Sequence, residues 1–108
     1  MSFASAIFES CKLDYADLSG QFLERVNFSA RSLFQTNLSQ ANLTGAVMHE
    51  VSLAAADVRG TDFTNADLRH ATISEISILD MKSFHGMLVS STQQSALLET
   101  LGIKVVET

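Results

Sequence analysis

Large apolar residues stand at every fifth position of the chain from residue 3 to residue 78. The residue two positions before each of them is small in most units, and the main exceptions are Gln21 and Arg31. Neither an α-helix, with about 3.6 residues per turn, nor a β-strand, with a repeat of about two, has a period of five. The pattern therefore predicts a repeat structure in which every unit buries one large and one small side chain. The large residues are Phe3, Phe8, Leu13, Leu18, Leu23, Phe28, Leu33, Leu38, Leu43, Met48, Leu53, Val58, Phe63, Leu68, Ile73 and Ile78.

The units at 16–20, 41–45 and 66–70 read Ala-Asp-Leu-Ser-Gly, Ala-Asn-Leu-Thr-Gly and Ala-Asp-Leu-Arg-His. They resemble the Ala-(Asp/Asn)-Leu-x-x unit of the pentapeptide-repeat family, and the resemblance extends over about residues 1–80. It implies an all-β fold, a right-handed quadrilateral parallel β-helix of about four coils, in which four units make one coil. The large and small residues of each unit would point into the shaft, which agrees with the apolar pattern.

Three residues in the small slots need separate explanations. A charge inside an apolar shaft would cost several kcal/mol, so we expect local bulges to turn Gln21 and Arg31 outward. Such bulges could be tolerated irregularities or could serve recognition. Cys11, the single cysteine, occupies a small slot; it cannot form an internal disulfide, and we expect it to be buried and inert.

The period ends after Ile78, and we expect residues 79–88 to form an irregular turn that leaves the last coil. Ser90 or Ser91 with Gln93 or Gln94 fits the spacing of a capping box and predicts a helix from about Thr92 to Leu101. Gly102 stands where a left-handed helix stop is expected, and the β-branched stretch 103–106 suits an extended segment. The chain thus divides into a β-helix at 1–80 and a loop, helix and tail at 81–108, which cap the open end.

The stretch Gln-Gln-Ser-Ala-Leu-Leu-Glu-Thr-Leu-Gly-Ile at 93–103 is similar to the C-terminus of Qnr-type quinolone-resistance proteins. In that group the helix and tail form a dimer interface, so the resemblance implies a homodimer. Qnr-type chains are longer and carry projecting loops, for which this chain has no room. The implied interface residues are Leu97, Leu98, Leu101, Ile103, Val105 and Val106.

The composition narrows the range of partners. Hydrophobic residues make up 46% of the chain and charged residues 18%, which is typical of a folded protein and not of a disordered one. The net charge of −5 argues against direct binding to nucleic acid or to an anionic membrane, because both require a basic surface. No signal sequence or membrane-spanning run is recognisable, and we expect a cytoplasmic protein whose partner is basic.

Catalytic motifs are absent from the sequence. The three histidines belong to no Ser/His/Asp, His-Glu-x-x-His or Cys-x-x-Cys arrangement, and no glycine-rich phosphate loop is present. His70 lies one coil above Glu50 with His49 beside them, which allows either a metal site or a solvated surface pair. We expect no enzyme, no cofactor and no metal.

Acidic and amide residues recur directly before the large residues. Asp17, Asn37, Asp57 and Ser77 take this position on one side of the coil, with Asp80 near its end, and Asp62 and Asp67 take it on two further sides. The Qnr resemblance implies that such residues imitate duplex DNA and bind DNA gyrase or topoisomerase IV, protecting the enzyme from quinolones. Alternatively, Asp and Asn recur because their side chains bond to turn backbone, and the protein is then an interaction module or scaffold for another partner.

Overall fold

The computed structural model describes residues 13–29 and 31–106, and the predictions made for Phe3, Phe8 and Cys11 lie outside this part. The molecule measures 48 × 25 × 24 Å along its principal axes. Within the described residues, no helix is long and apolar enough to cross a membrane.

The coil is held together by single-residue parallel bridges, most of which join residues twenty positions apart. Because bridge residues recur every five positions, each coil has four sides, and the bridges form four columns along the rod. Column A contains Asp17, Asn37 and Asp57; column B contains Phe22, Asn42, Asp62 and Ser83; column C contains Asn27, Val47, Asp67 and Leu88; column D contains Ser32, Ser52 and Thr72.

Tight turns form the corners between the sides. The N–H of Ala46 donates to the carbonyl of Leu43 at 3.0 Å, and the same bond recurs five residues apart along the rod. The residue that precedes the donor has a positive φ, as at Gly45 (68°) and Asn65 (58°). A positive φ at the third residue is typical of a type II turn, so one bridge residue and one such turn account for the period of five.

The large and small residues fill the shaft as the period predicts. From Leu23 to Phe63 the large residues are at most 2% exposed, and the small slots from Thr36 to Ala71 are buried as well. Two buried threonines in these slots are satisfied, since the hydroxyls of Thr36 and Thr61 donate at 2.6 Å to the carbonyls of Leu13 and Leu38.

The bulges expected at Gln21 and Arg31 are not present, and that prediction is wrong. The backbone N–H of Gln21 donates to Leu18 at 3.3 Å and that of Arg31 to Phe28 at 3.0 Å, as at the neighbouring corners. Neighbouring bridges keep the spacing of twenty. Both side chains are partly exposed, and Arg31 Nη1 reaches the carbonyl of Ser29 at 3.5 Å. A long side chain can thus bring its polar end towards the surface without any change in the backbone.

A bulge occurs instead near the C-terminal end, opposite Asp62. The N–H of Lys82 donates to Thr61, while the carbonyl of Ser83 accepts from Phe63, so two residues face one. After this extra residue the chain stays on the rod, because Ser83 joins column B and Leu88 joins column C. The prediction of an irregular turn throughout 79–88 is therefore wrong for its second half.

Column A ends before this bulge. Ser77 forms no bridge with Asp57; its hydroxyl accepts from the N–H of Leu79 and caps a short 3₁₀ helix at Ile78–Asp80. Ser77, which was expected as the fourth member of column A, thus caps a helix instead of joining the column.

The cap begins with a 3₁₀ helix at Ser91–Gln93 and continues as α1 at Gln94–Thr100. The capping box joins Ser90 and Gln93, as the spacing predicts. Gly102 has a φ of 82°, and the bonds from Gly102 to Glu99 and from Ile103 to Leu98 complete a Schellman stop. α1 packs against the 3₁₀ helix at Ile78–Asp80 and so covers part of the rod end.

Candidate protein-binding surface

The Asp and Asn residues of columns A, B and C hold the adjacent turns. In each case a side-chain oxygen accepts the backbone N–H two residues later: Asp17 from Ser19 at 3.0 Å, for example, and Asn37 from Ser39 at 2.9 Å. Three hydroxyls strengthen the contact: Ser19 Oγ and Thr64 Oγ1 each donate at 2.6 Å to the carboxylate before them, and Ser39 Oγ donates at 2.7 Å to the amide oxygen of Asn37. The preference for Asp and Asn in this position therefore has a structural cause. The residues that accept in this way are Asp17, Asn27, Asn37, Asn42, Asp57, Asp62 and Asp67.

The structure places the predicted acidic residues on several sides of the rod. Column A stacks Asp17, Asn37 and Asp57 in neighbouring coils, about 4.8 Å apart. Asp62 stands in column B and Asp67 in column C. Asp80 ends the 3₁₀ helix at Ile78–Asp80, and its carbonyl accepts from the N–H of Gly60 at 2.8 Å.

Arginines two residues later bind two of these carboxylates. Arg59 donates to Asp57 at 3.0 and 2.7 Å, and Arg69 donates to Asp67 at 2.9 and 2.7 Å. His49 Nε2 also lies 2.7 Å from Asp67. These bonds lower the pKa of Asp57, mainly through Arg59, and lower that of Asp67 strongly, mainly through Arg69. Both carboxylates are ionised at neutral pH, but their charge is already paired.

Asp17 and Asp62 keep an open oxygen. The hydrogen bonds that they receive from Ser19 and Thr64 all end on Oδ1 and lower the pKa of both carboxyls. Within the described residues no hydrogen bond reaches Oδ2 of either side chain. Among the acidic residues of columns A, B and C, these two carboxylates are therefore the ones that can still receive a cation from a partner.

Asp62 lines a groove of about 400 Å³ between columns A and B. Phe22, half exposed, forms one part of it, and Lys82 forms another. Lys82 is not within ion-pair distance of Asp62, although its charge contributes to the lowered pKa of that carboxyl. The groove thus combines an aromatic face with both signs of charge.

The predicted histidine cluster has a different arrangement. His49 binds Asp67, and the backbone N–H of His70 donates to Ser90 Oγ at 3.3 Å. In the part of the chain that the structure describes, no group of three or more His, Cys, Asp or Glu residues could hold a metal ion.

The C-terminal apolar residues differ in exposure. Leu97 packs against the core, whereas Leu98 is 39% and Val106 is 74% exposed, and Leu101, Ile103 and Val105 are exposed too. Five of the six residues expected at a dimer interface are thus accessible in the single chain.

Sequence reasoning missed the bonds of Arg59 to Asp57 and of Arg69 and His49 to Asp67. It also missed that the side-chain amide of Gln93 donates to the carbonyls of Leu68 and Ala71. For the arginines a signal was available, because Asp57-Val58-Arg59 and Asp67-Leu68-Arg69 place both charges on one face of the same extended unit. His49 and Gln93 depend on neighbours in other coils.

Comparison with known proteins agrees with this geometry. A family model described as Pentapeptide repeat region matches residues 1–82. A structure of trypsin-treated QnrB1, a plasmid-mediated fluoroquinolone resistance protein, has 25% identity and a TM-score of 0.75 over 89% of this chain. HetL, a pentapeptide repeat protein involved in heterocyst differentiation regulation in Nostoc sp. strain PCC 7120, has 21% identity and a TM-score of 0.58 over 70% of it.

The chain is shorter than both relatives, since the matches span 45% of the QnrB1 chain and 33% of HetL. The likeness to HetL concerns the fold alone. No curated protein matches the sequence.

Proposed function

The chain belongs to the pentapeptide-repeat family, and from this premise we propose that it binds DNA gyrase or topoisomerase IV as an acidic mimic of duplex DNA. Bound in this way, it modulates the enzyme or protects it from quinolone-type inhibitors. Proteins of the Qnr type are generally binding proteins without catalytic activity. Because these topoisomerases act on chromosomal DNA, the proposal also assigns the protein to the cytoplasm.

The observation that carries the proposal is the register of column A. Asp17, Asn37 and Asp57 repeat once per coil along the rod, and Asp17 keeps an open oxygen. A protein surface that grips phosphates presents regularly spaced cations, and carboxylates in a row can satisfy them without nucleic acid. The likeness to QnrB1 supports this partner above others.

A second candidate is an interaction module or scaffold for a different protein. It is favoured by the turn hydrogen bonds, which explain the recurrence of Asp and Asn without any partner. Arg59 and Arg69 also pair two carboxylates that a DNA mimic would need to leave open.

Inhibition of gyrase supercoiling and relief of quinolone poisoning test the first candidate. We expect an effect of the unaltered protein that weakens with rising salt. Asp17→Lys with Asp57→Lys should abolish it, whereas Ser32→Lys with Ser52→Lys places two lysines at the equivalent position of column D, with half the change in net charge, and should retain most of it. No effect of the unaltered protein at micromolar concentration would remove the topoisomerase and leave the second candidate.

Assembly as a homodimer through the C-terminal end is part of the same proposal. A seven-residue helix is too short to be stable alone and needs packing partners, yet Leu98 and Leu101 remain exposed. A two-fold partner with the same surface would cover them. Light scattering should report a dimer for the unaltered protein and a monomer for Leu98→Glu, while Phe22→Glu, at an exposed apolar residue of column B, should stay dimeric.

A further inference from the structure

The groove between columns A and B contains an aromatic ring that the turns of the rod do not require. In column B, Asn42 and Asp62 each accept the backbone N–H two residues later, at 3.0 and 2.9 Å. Phe22 takes the same position one coil before Asn42 and cannot form such a bond, yet it is 51% exposed and lines the groove. An aromatic wall with a few polar groups is typical of small-molecule sites, whose volumes of roughly 300–1,000 Å³ include that of this groove.

The bulge at Lys82 and Ser83 adds a cation to the same groove. In an unbroken register Lys82 would follow Asp62 in column B, but Ser83 takes that place and Lys82 lines the groove. Bulges often re-aim a side chain beside a functional site. The backbone of Lys82 is held by its N–H, which donates to the carbonyl of Thr61 at 2.9 Å. Its ammonium group forms no ion pair within the described residues.

Asp62 supplies the opposite charge, with one oxygen held and the other open. Thr64 donates its N–H and its hydroxyl to Oδ1, and the same hydroxyl lies 2.9 Å from Ser83 Oγ. Lys82 is beyond ion-pair distance of Asp62, although its charge helps to lower the pKa of that carboxyl. The two charges therefore share the groove without direct contact. A ligand that carries an ammonium and a carboxylate group on one carbon atom can pair with both.

The length of the groove indicates what else the ligand carries. Phe22 and Asp62 stand two coils apart, about 9.6 Å along the rod. A ligand held at Asp62 and Lys82 therefore reaches Phe22 only through a side chain of several atoms. Aromatic rings pair favourably at centroid distances of about 4.5–7 Å. A Cβ at Gly60 would lie 3.1 Å from Cγ of Gln40, so glycine keeps this part of the groove wide.

We propose that this groove binds a free α-amino acid with an aromatic side chain. The ammonium group of the ligand donates to Asp62 Oδ2, its carboxylate accepts from Lys82, and its ring packs against Phe22. Lys82 repels a ligand that is only cationic, and Asp62 repels one that is only anionic, so the site selects a ligand with both charges. The proposal involves neither the topoisomerase nor the C-terminal end of the chain.

Derivatives of one ligand test the charge pairing. We expect saturable binding of L-phenylalanine at millimolar concentration, measured by isothermal titration calorimetry at low salt. N-acetylphenylalanine lacks the ammonium group and phenylalaninamide lacks the carboxylate, so each should bind at least about tenfold more weakly. Glycine keeps both charges without the ring and should bind more weakly as well. No saturable binding of L-phenylalanine, or equal binding of the two derivatives, would overturn the proposal.

Matched variants test the position of the site. Asp62→Asn keeps an oxygen that can accept from Thr64 but loses the charge, so the fold should remain and the affinity for L-phenylalanine should fall at least about tenfold. Lys82→Gln should have a similar effect. Asp17→Asn removes the other open carboxylate, which lies in column A outside the groove, and should leave the affinity unchanged.

Nuclear magnetic resonance gives a second reading of the position. In the unaltered protein, L-phenylalanine should shift the amide signals of Gly60, Asp62 and Lys82, and in Asp62→Asn these shifts should be lost at the same ligand concentration. Binding that Asp17→Asn weakens as much as Asp62→Asn would contradict the site, as would shifts that leave these three amides unaffected. Both measurements are independent of gyrase inhibition, so failure of the topoisomerase assay leaves them interpretable.

Discussion

At the scale of single residues, the corners of the rod impose a conformation that most side chains avoid. Tyr15, Gln40, Glu50, Ala55 and His70 all have φ between 57° and 65°, close to the 68–73° of the glycines at equivalent corners. For a residue with a Cβ this region costs about 1–2 kcal/mol. The packing and hydrogen bonds of the coil have to offset that cost at almost every corner.

Gly86 carries an additional constraint, because a Cβ there would lie 2.1 Å from Asn65 Oδ1. Gly20 has nearly the same φ and nothing within 4 Å. We expect Gly20→Ala to cost about 1 kcal/mol from the backbone alone and Gly86→Ala to cost about 1 kcal/mol more, because the Asn65 side chain must leave its rotamer. Urea unfolding measures both, and in an Asn65→Gly background the difference should disappear. A difference that persists there would point to another contact.

Asp67 makes the free energy of unfolding depend on pH in the acidic range. Its pKa is lowered in the folded chain, so the unfolded chain binds the proton more readily, and the stabilisation is fully present above the unfolded pKa of about 4. It is lost as the pH falls below that value. Asp67→Asn should therefore flatten the decline of unfolding free energy between pH 4 and pH 2, and Arg69→Gln, which removes the strongest donor, should flatten it in part. Unchanged slopes in both variants would contradict this account.

At the scale of elements, the cap depends on one amide. Gln93 is buried, donates to Leu68 and Ala71, and accepts from the N–H and hydroxyl of Ser90. It thus fills the place that the next coil would otherwise take on that side of the rod. The 3₁₀ helix at Ser91–Gln93 and α1 are held to the rod partly through this side chain.

Gln93→Glu should destabilise the protein by about 2–3 kcal/mol, since a carboxylate cannot donate to the two carbonyls. The carbonyl of Ala71 loses its donor, and that of Leu68 keeps only the turn bond from the N–H of Ala71. Gln94→Glu is the matched control, because Gln94 is exposed and follows directly in sequence. Denaturant unfolding followed by circular dichroism gives both values. Equal stability of the two variants would show that the cap does not need the Gln93 donors.

The structure follows the sequence pattern where every coil is alike and departs from it where single elements differ. Burial of Leu23, Met48 or Phe63 follows from the period alone, because every coil repeats the same environment. The bulge at Lys82 and Ser83 cannot be predicted from the period, because one extra residue shifts the phase of the five-residue repeat. In the sequence this shift looks like the end of the repeat. The pairing of His49 with Asp67 depends on a side-chain direction between coils, which a one-dimensional pattern does not contain.

At the scale of the whole molecule, the shaft is continuous and has little freedom to relax. Leu38→Asp would bury a charge among apolar neighbours in the middle of the rod and should prevent folding at 25 °C. Leu79→Asp makes the same change at a residue that is 70% exposed and should keep the native circular dichroism spectrum. A Leu38→Asp variant with the melting curve of the unaltered protein would invalidate the register.

The constant separation of about twenty residues between bridged positions has a kinetic consequence. In a chain of 108 residues it corresponds to a relative contact order of roughly 0.2, in the range of domains that fold in about milliseconds to seconds. Each coil requires closure of a loop of the same length, so the entropic cost of starting is the same wherever folding begins. Nucleation is then selected by the local strength of packing, and the most deeply buried coils between Leu23 and Leu68 are where the first turn of the rod should form.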